Sequence, residues 1–316
     1  MKIVIPGGSG QVGTILARAF HDRGEVVVLS RRPGGGTTAR PWRVVPWDGV
    51  TLGGWTREIE GCDAVVNLAG RSVNCRYNAA NRQEILQSRV LSTLAVGQAI
   101  AQAARPPRVW LQASTATIYA HRYDAPNDEY SGILGGDESS APSSWRFSIQ
   151  VARAWERAFD ESATPGVRKV ALRSAMTMSP DPGGVFDTLR GLARRGAGGT
   201  AGDGRQFMSW VHYEDFVRAI EWLIDHVEVE GVVNIAAPNP VPNAEFMREL
   251  REACGAPFGL PAPEWLLEIA VLFMRTETEL ILKSRRVVSA RLAEGGFRFN
   301  YPTWREAARD LCRPGR

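Results

Sequence analysis

Lysine is almost missing from this 316-residue chain: Lys2, Lys169 and Lys283 are the only three among 38 basic side chains. No tyrosine stands four residues before any of them, since Pro165 precedes Lys169 and Glu279 precedes Lys283 at that distance. A Tyr-x-x-x-Lys pair, which would set both side chains on one helix face, is therefore excluded. Cysteine is also scarce, and Cys62, Cys75, Cys254 and Cys312 have neither metal-site spacing nor the look of a disulfide framework. No metal is expected, and a reducing cytoplasm is the expected setting. Long apolar runs are lacking too. The most apolar stretch, Trp265 to Met274, is interrupted by Glu268 and is too short to span a bilayer, so it reads as a buried helix. The opening residues do not have the layout of a targeting peptide. An excess of one charge is missing as well: the net charge is only +4 and arginines are scattered among acids, which argues against a nucleic-acid partner.

What is present begins at once. Ile3 to Ile5 is an apolar run, followed by Gly7, Gly10 and Gly13 in Gly-x-x-Gly-x-x-Gly spacing and by a helical stretch with Ile15, Leu16, Ala19 and Phe20. Residues without Cβ suit a tight strand-to-helix turn whose backbone must approach a pyrophosphate, and the helix N-terminus offers N–H groups to the anion. Val26 to Leu29 reads as the next strand, and Ser30, Arg31 and Arg32 follow it where an NAD site would carry an acid for the ribose hydroxyls. Arginine at that place favours the 2′-phosphate of NADP(H) over two solvated loop charges.

Strand-like and helix-like segments then keep alternating, which predicts an α/β fold: a Rossmann-type doubly wound parallel sheet. Ala64 to Leu68 and Val109 to Ala113 read as strands whose ends, Asn67 to Gly70 and Ser114 with Thr115, open on one crevice. Leu86, Val90 and Leu94 mark a helix between them, Ala152, Trp155 and Phe159 mark another, and Val170 to Leu172 is a further strand. Residues 174–204, rich in glycine and proline at both ends, are expected as a loop bordering the cleft. Residues 1–237 form the expected cofactor domain and residues 238–316 a smaller, mainly helical C-terminal substrate lobe punctuated by Pro257, Pro261 and Pro263.

These stretches resemble the extended short-chain dehydrogenase/reductase superfamily, and within it the atypical branch of epimerase family proteins. The likeness rests on Gly7 to Gly13, Ser30 to Gly34, Asn67 to Gly70, Glu84 with Ser88-Arg89, Gly204 to Gln206 with Trp210 to His212, and the tail stretches Asn234 to Val241 and Gly296 to Thr303. It runs nearly end to end and implies a C-terminal domain of unknown function. By that resemblance the cofactor would be held by Gly7, Ser9, Gly10, Gln11, Val12, Gly13, Ser30, Arg31, Arg32, Leu68, Ala69, Gly70 and Ser114. Glu84 and Arg89 would either reach the cofactor from their helix or form a helix-surface pair.

Most of the superfamily carries Tyr-x-x-x-Lys on one helix, and the resemblance puts Phe147 and Val151 in those places. Neither can move a proton, so chemistry needs another donor. Thr115 and then Tyr119 are the catalytic candidates, with capping or packing as the competing role for Thr115. His121 and His212 are weaker candidates, and Cys75 reads as an inert thiol. The expected function is NADP(H)-dependent oxidoreductase or epimerase chemistry on a carbonyl or nucleotide-sugar-like small molecule, with a non-catalytic NADPH sensor or scaffold as the alternative. Arg71, Arg76 and Arg205 could hold an anionic substrate, and the chain is compatible with a homodimer.

Overall fold

The structure, a computed structural model, describes residues 1–32, 40–138, 141–263 and 277–313; the helix expected over Trp265 to Met274 lies outside them. Seven parallel strands form the main sheet: β1 (Lys2–Pro6), β2 (Glu25–Ser30), β3 (Arg43–Pro46), β4 (Ala64–Asn67), β5 (Val109–Thr115), β6 (Arg168–Ser174) and β10 (Gly231–Ile235). Their order is β10-β6-β5-β4-β1-β2-β3, so the winding reverses between β1 and β4. In such a sheet the crevice at the reversal point is where ligands bind.

Strand alternation distributes the core. Ile3 and Ile5 face Leu16 and Phe20 of α1 (Gln11–Phe20) and Phe216 and Ile220 of α5 (Tyr213–Asp225), while Val4 joins Val96 and Ile100 of α2 (Ala79–Gln102) and Phe159 of α3 (Arg146–Asp160) on the other face. Both faces are covered, which is why these strands read as unbroken apolar runs. α3 buries Ala152, Trp155 and Phe159 as their spacing predicts. α2 exists where Leu86, Val90 and Leu94 place it, but its core face is different: Ile85, Ser92, Thr93, Val96 and Ile100 are buried and Leu94 is 40% exposed. Small residues let α2 lie close to the sheet and to α3.

The turn after β1 depends on close backbone approach. Gly7 has φ +76°, and a Cβ there would lie 2.7 Å from the Cα of Ala69. A Cβ on Gly13 would overlap the backbone of Gly8, so α1 can sit against the turn only without one. Gly10 is the N-cap of α1, with no side-chain cap and no acid in the first turn.

A smaller helical lobe packs beside the sheet. Its core joins Phe186 and Ala193 of α4 (Val185–Arg194), Phe246 and Leu250 of α6 (Asn243–Cys254), and Trp304, Ala308 and Leu311 of the helix Trp304–Leu311. Met178 of β7 (Met176–Met178), Met208 of β8 (Phe207–Met208) and Trp210 of β9 (Trp210–His212) enter the same cluster, so this core draws on both sides of the line expected at 237/238. Conversely, Leu292 and Phe297 of the tail belong to the main core. The stretch 174–204, expected as a loop, contains the strand β7 (Met176–Met178) and α4; Phe186 and Ala193, seven residues apart, give the helix its buried side. β10, missed in the sequence, pairs with β6 through Gly231↔Val170 to Ile235↔Ser174.

Trp304 is the centre of the small core. It stacks on Phe246 at 3.9 Å with 9° between planes, lies 5.2 Å from Trp210, and donates its indole N–H to the Phe246 carbonyl at 2.9 Å. Trp304→Ala removes the stack and the indole hydrogen bond together, and a loss of about 3–5 kcal/mol in urea unfolding is expected.

Candidate functional site: a cleft at the reversal of the sheet

A cleft of about 860 Å³ opens at the carboxyl edge over β1, β2 and β4. Of the residues expected to hold a cofactor, Gly7, Ser9, Gly10, Ser30, Arg31, Arg32, Leu68, Ala69, Gly70 and Glu84 line it. The Ser30 hydroxyl donates to the Ser9 hydroxyl at 3.0 Å and accepts the Arg32 backbone N–H at 3.1 Å, which ties the end of β2 to the glycine turn. Arg31 and Arg32 are exposed, and among the described residues neither guanidinium has a carboxylate partner. Asn67 sets the opposite wall: its amide donates to Gln112 at 2.9 Å and its carbonyl oxygen accepts the Ala69 N–H at 3.1 Å.

The remaining expected residues are elsewhere, for physical reasons. The Gln11 amide donates to the Asp181 carbonyl at 3.4 Å and fills the space where Gly184 lacks a Cβ. Val12 packs on the core and Gly13 on Gly8. Arg89 is not an exposed partner of Glu84. It lies buried over Trp155 at 5.0 Å and donates to the carbonyls of Arg71 at 3.0 Å and Ile85 at 2.9 Å; burial pushes its guanidinium down to about 10. Glu84 instead pairs with Arg71, which also lines the cleft and bonds Asn81 at 2.7 Å.

Ser114 and Tyr119 are engaged in one buried network. Arg173 donates to both carboxylate oxygens of Glu156, at 2.8 and 2.7 Å, and to the Tyr119 hydroxyl at 3.0 Å. The Tyr119 hydroxyl donates to Asn234 at 2.9 Å and the Ser114 hydroxyl to Glu156 at 2.6 Å. Tyr119 is 2% exposed, burial raises its pKa, and its hydroxyl both donates and accepts within this network. Thr115 differs: it is half-buried, and its hydroxyl oxygen accepts the Thr117 N–H at 3.1 Å.

Residues 3–236 match the NAD dependent epimerase/dehydratase family, and residues 262–311 match a domain of unknown function, DUF1731. The chain belongs to the NAD dependent epimerase/dehydratase family. It is similar to epimerase family protein SDR39U1 of Bos taurus, 32% identical over 98% of this chain and 99% of that protein, and to epimerase family protein YfhF of Bacillus subtilis, 29% identical over 95% and 94%. The crystal structure of human SDR39U1 with NADPH superposes with a TM-score of 0.84 at 28% identity, covering 99% of each chain. A UDP-N-acetylglucosamine 4-epimerase from Bacillus cereus, TM-score 0.74 at 17% identity, shares the fold.

In this epimerase/dehydratase chain a second polar cluster, not legible in the sequence, gathers around Lys283. Lys283 is 1% exposed; its ammonium donates to the Thr117 carbonyl at 2.8 Å and lies 3.9 Å from Glu279. Arg285 donates to the Thr117 hydroxyl at 3.2 Å, and Ser148 to Glu279 at 2.5 Å. His121 accepts the Ser284 N–H at 2.8 Å, so it anchors the same segment. Rarity of lysine was the signal that could have found Lys283. Asp48 was missed because β3 was missed: it lines the cleft, and its carboxylate accepts the N–H groups of Val50 and Thr51 at 2.8 Å. Phe147 meets Tyr77 edge to face at 5.2 Å. His212 caps α5, stacks on Tyr301 at 3.8 Å and lies 3.3 Å from Asp310. Cys75 lies 3.8 Å from the Ser72 carbonyl, Arg76 pairs with Glu277 at 3.8 Å, and Arg205 lies over Tyr123 at 5.7 Å. Among the described residues no group of three or more His, Cys, Asp or Glu could hold a metal ion, and no helix is long and apolar enough to cross a membrane.

Two outcomes follow from these networks. Tyr119→Phe leaves Arg173 and Asn234 short of a partner and is expected to cost about 1–3 kcal/mol in chemical denaturation, with affinity for NADPH unchanged by calorimetry. Burial first, and Arg285 second, push Lys283 from its ordinary 10.5 down to about 8. The folded state thus binds this proton less well than the unfolded chain. The penalty is fully present below about 8 and is relieved as pH rises toward 10.5. Urea midpoints of wild type should therefore rise relative to Lys283→Met across that interval.

Proposed function

We propose that this chain binds NADP(H) in the cleft and works as an atypical short-chain dehydrogenase/reductase, an oxidoreductase or epimerase acting on a carbonyl or nucleotide-sugar-like substrate. The observation that carries the reading is the end of β2, where Arg31 and Arg32, without carboxylate partners among the described residues, share one cleft with the uncapped N-terminus of α1. An anion at the helix start and a second phosphate at the arginines are both provided for. The cleft volume is within the range of small-molecule sites.

When bound, the cofactor supplies the hydride donor or acceptor. Ser9 and the first turn of α1 would offer backbone N–H groups to the pyrophosphate, Arg31 and Arg32 would hold the 2′-phosphate, and Leu68 and Ala69 would cover the adenosine side. Thr115 ends β5 with a hydroxyl whose acceptor side is taken by the Thr117 N–H, so its remaining capacity is to donate toward a substrate carbonyl oxygen. Phe147 and Val151 leave the two dyad positions of α3 without a proton donor, and the reaction therefore proceeds with electrostatic polarisation from the strand end in place of a helix-borne tyrosine.

Calorimetric titration tests the assignment. Wild type should prefer NADPH to NADH, and the double variant Arg31→Ala with Arg32→Ala should lose about ten- to a hundredfold in NADPH affinity while NADH binding is unchanged. Equal affinity of wild type for the two nucleotides would overturn the 2′-phosphate site. Intact NADPH binding more tightly than 2′-phospho-ADP-ribose shows that the nicotinamide is gripped, as hydride transfer requires; equal binding removes the enzyme reading.

A further inference from the structure

Sequence spacing gives no reason to pair any of the four cysteines, yet two of them meet. Cys254 is the last residue of α6 and Cys312 follows the helix Trp304–Leu311, and their sulfurs lie 3.1 Å apart although 58 residues separate them. Both are half-buried, within reach of small thiols and disulfides. The two helices that carry them already pack through Phe246, Leu250, Trp304, Ala308 and Leu311, so the contact is held by a shared core rather than by a loose loop. A disulfide needs about 2.05 Å between sulfurs, a closure of roughly 1 Å.

We propose that Cys254 and Cys312 form a reversible disulfide, a modification site in the helical lobe whose co-reactant is a low-molecular-weight disulfide such as glutathione disulfide. Either sulfur can donate in this contact, so whichever thiol ionises is held by the S–H of the other, and Arg194 and Arg190 of α4 favour a thiolate at the pair. The thiolate of one cysteine attacks glutathione disulfide, displaces one glutathione thiolate and forms a mixed disulfide. The second cysteine then gives up its proton to solvent and attacks the protein sulfur of that mixed disulfide, releasing the second glutathione thiolate. Two protein thiols are oxidised and one glutathione disulfide is reduced to two glutathiones. Cys62 takes no part, because burial pushes its thiol up to about 12.

The bond would close a long loop and tie the ends of two helices, so the oxidised lobe resists unfolding more than the reduced one. The site is independent of what the cleft binds, and its test does not use activity. The full chain is incubated with glutathione disulfide, remaining thiols are blocked, and the product is weighed and mapped by peptide mass. The expected product has lost two hydrogen atoms, carries Cys254 and Cys312 in one linked peptide, melts at a higher temperature, and reverts with dithiothreitol. Cys312→Ser and Cys254→Ser should each lose the linked peptide and the rise in melting temperature. A wild-type product with only glutathione adducts, with a linkage through Cys75, or with no modification overturns the proposal.

Discussion

The buried pair of Arg173 and Glu156 is the constraint on which the carboxyl edge of the sheet depends. Register places Ser114 of β5, Arg173 of β6 and Asn234 of β10 side by side across three strands. Glu156 comes down from α3 and Tyr119 from the turn after β5, and every polar end in this group finds a partner. A half-satisfied group of this kind would be worse than an apolar one, and breaking a buried ion pair costs about 3–5 kcal/mol. The network thereby holds the end of β5 in place, with Thr115 as the next residue.

A second constraint connects the cleft to the helical lobe. The glycine turn is packed so tightly that Gly7 touches the Ala69 backbone and Gly13 touches Gly8. Gln11 reaches from α1 to the loop before α4, and Arg18 pairs with Asp181 at 2.6 Å in the same loop. Since α4 shares the core of Phe246 and Trp304, the cofactor turn and the small lobe are in contact through side chains rather than through a hinge.

Much of the architecture was legible. The β1 turn, the second strand and its two arginines are local features, written in consecutive residues whose sterics allow few alternatives. Several elements were not. β10 is short and begins with Gly231, β3 is a four-residue edge strand, and α4 lies in a stretch bounded by glycines and proline. The buried face of α2 is not legible from its apolar residues, because Ser92, Thr93 and Gly97 carry much of it, and an apolar stripe is a poor guide where small residues do the packing.

The site divides in the same way. By itself, the sequence determined the doubly wound class, the glycine turn, the arginine pair and the absence of a Tyr-x-x-x-Lys helix, because each depends on spacing within a few residues. Only the tertiary structure decided that Tyr119, Ser114 and Arg89 are committed to internal bonds, that Lys283 is buried against Thr117, and that Cys254 meets Cys312. Those outcomes depend on which distant segments exclude water around a side chain and which groups they bring as partners, and no spacing along the chain encodes that.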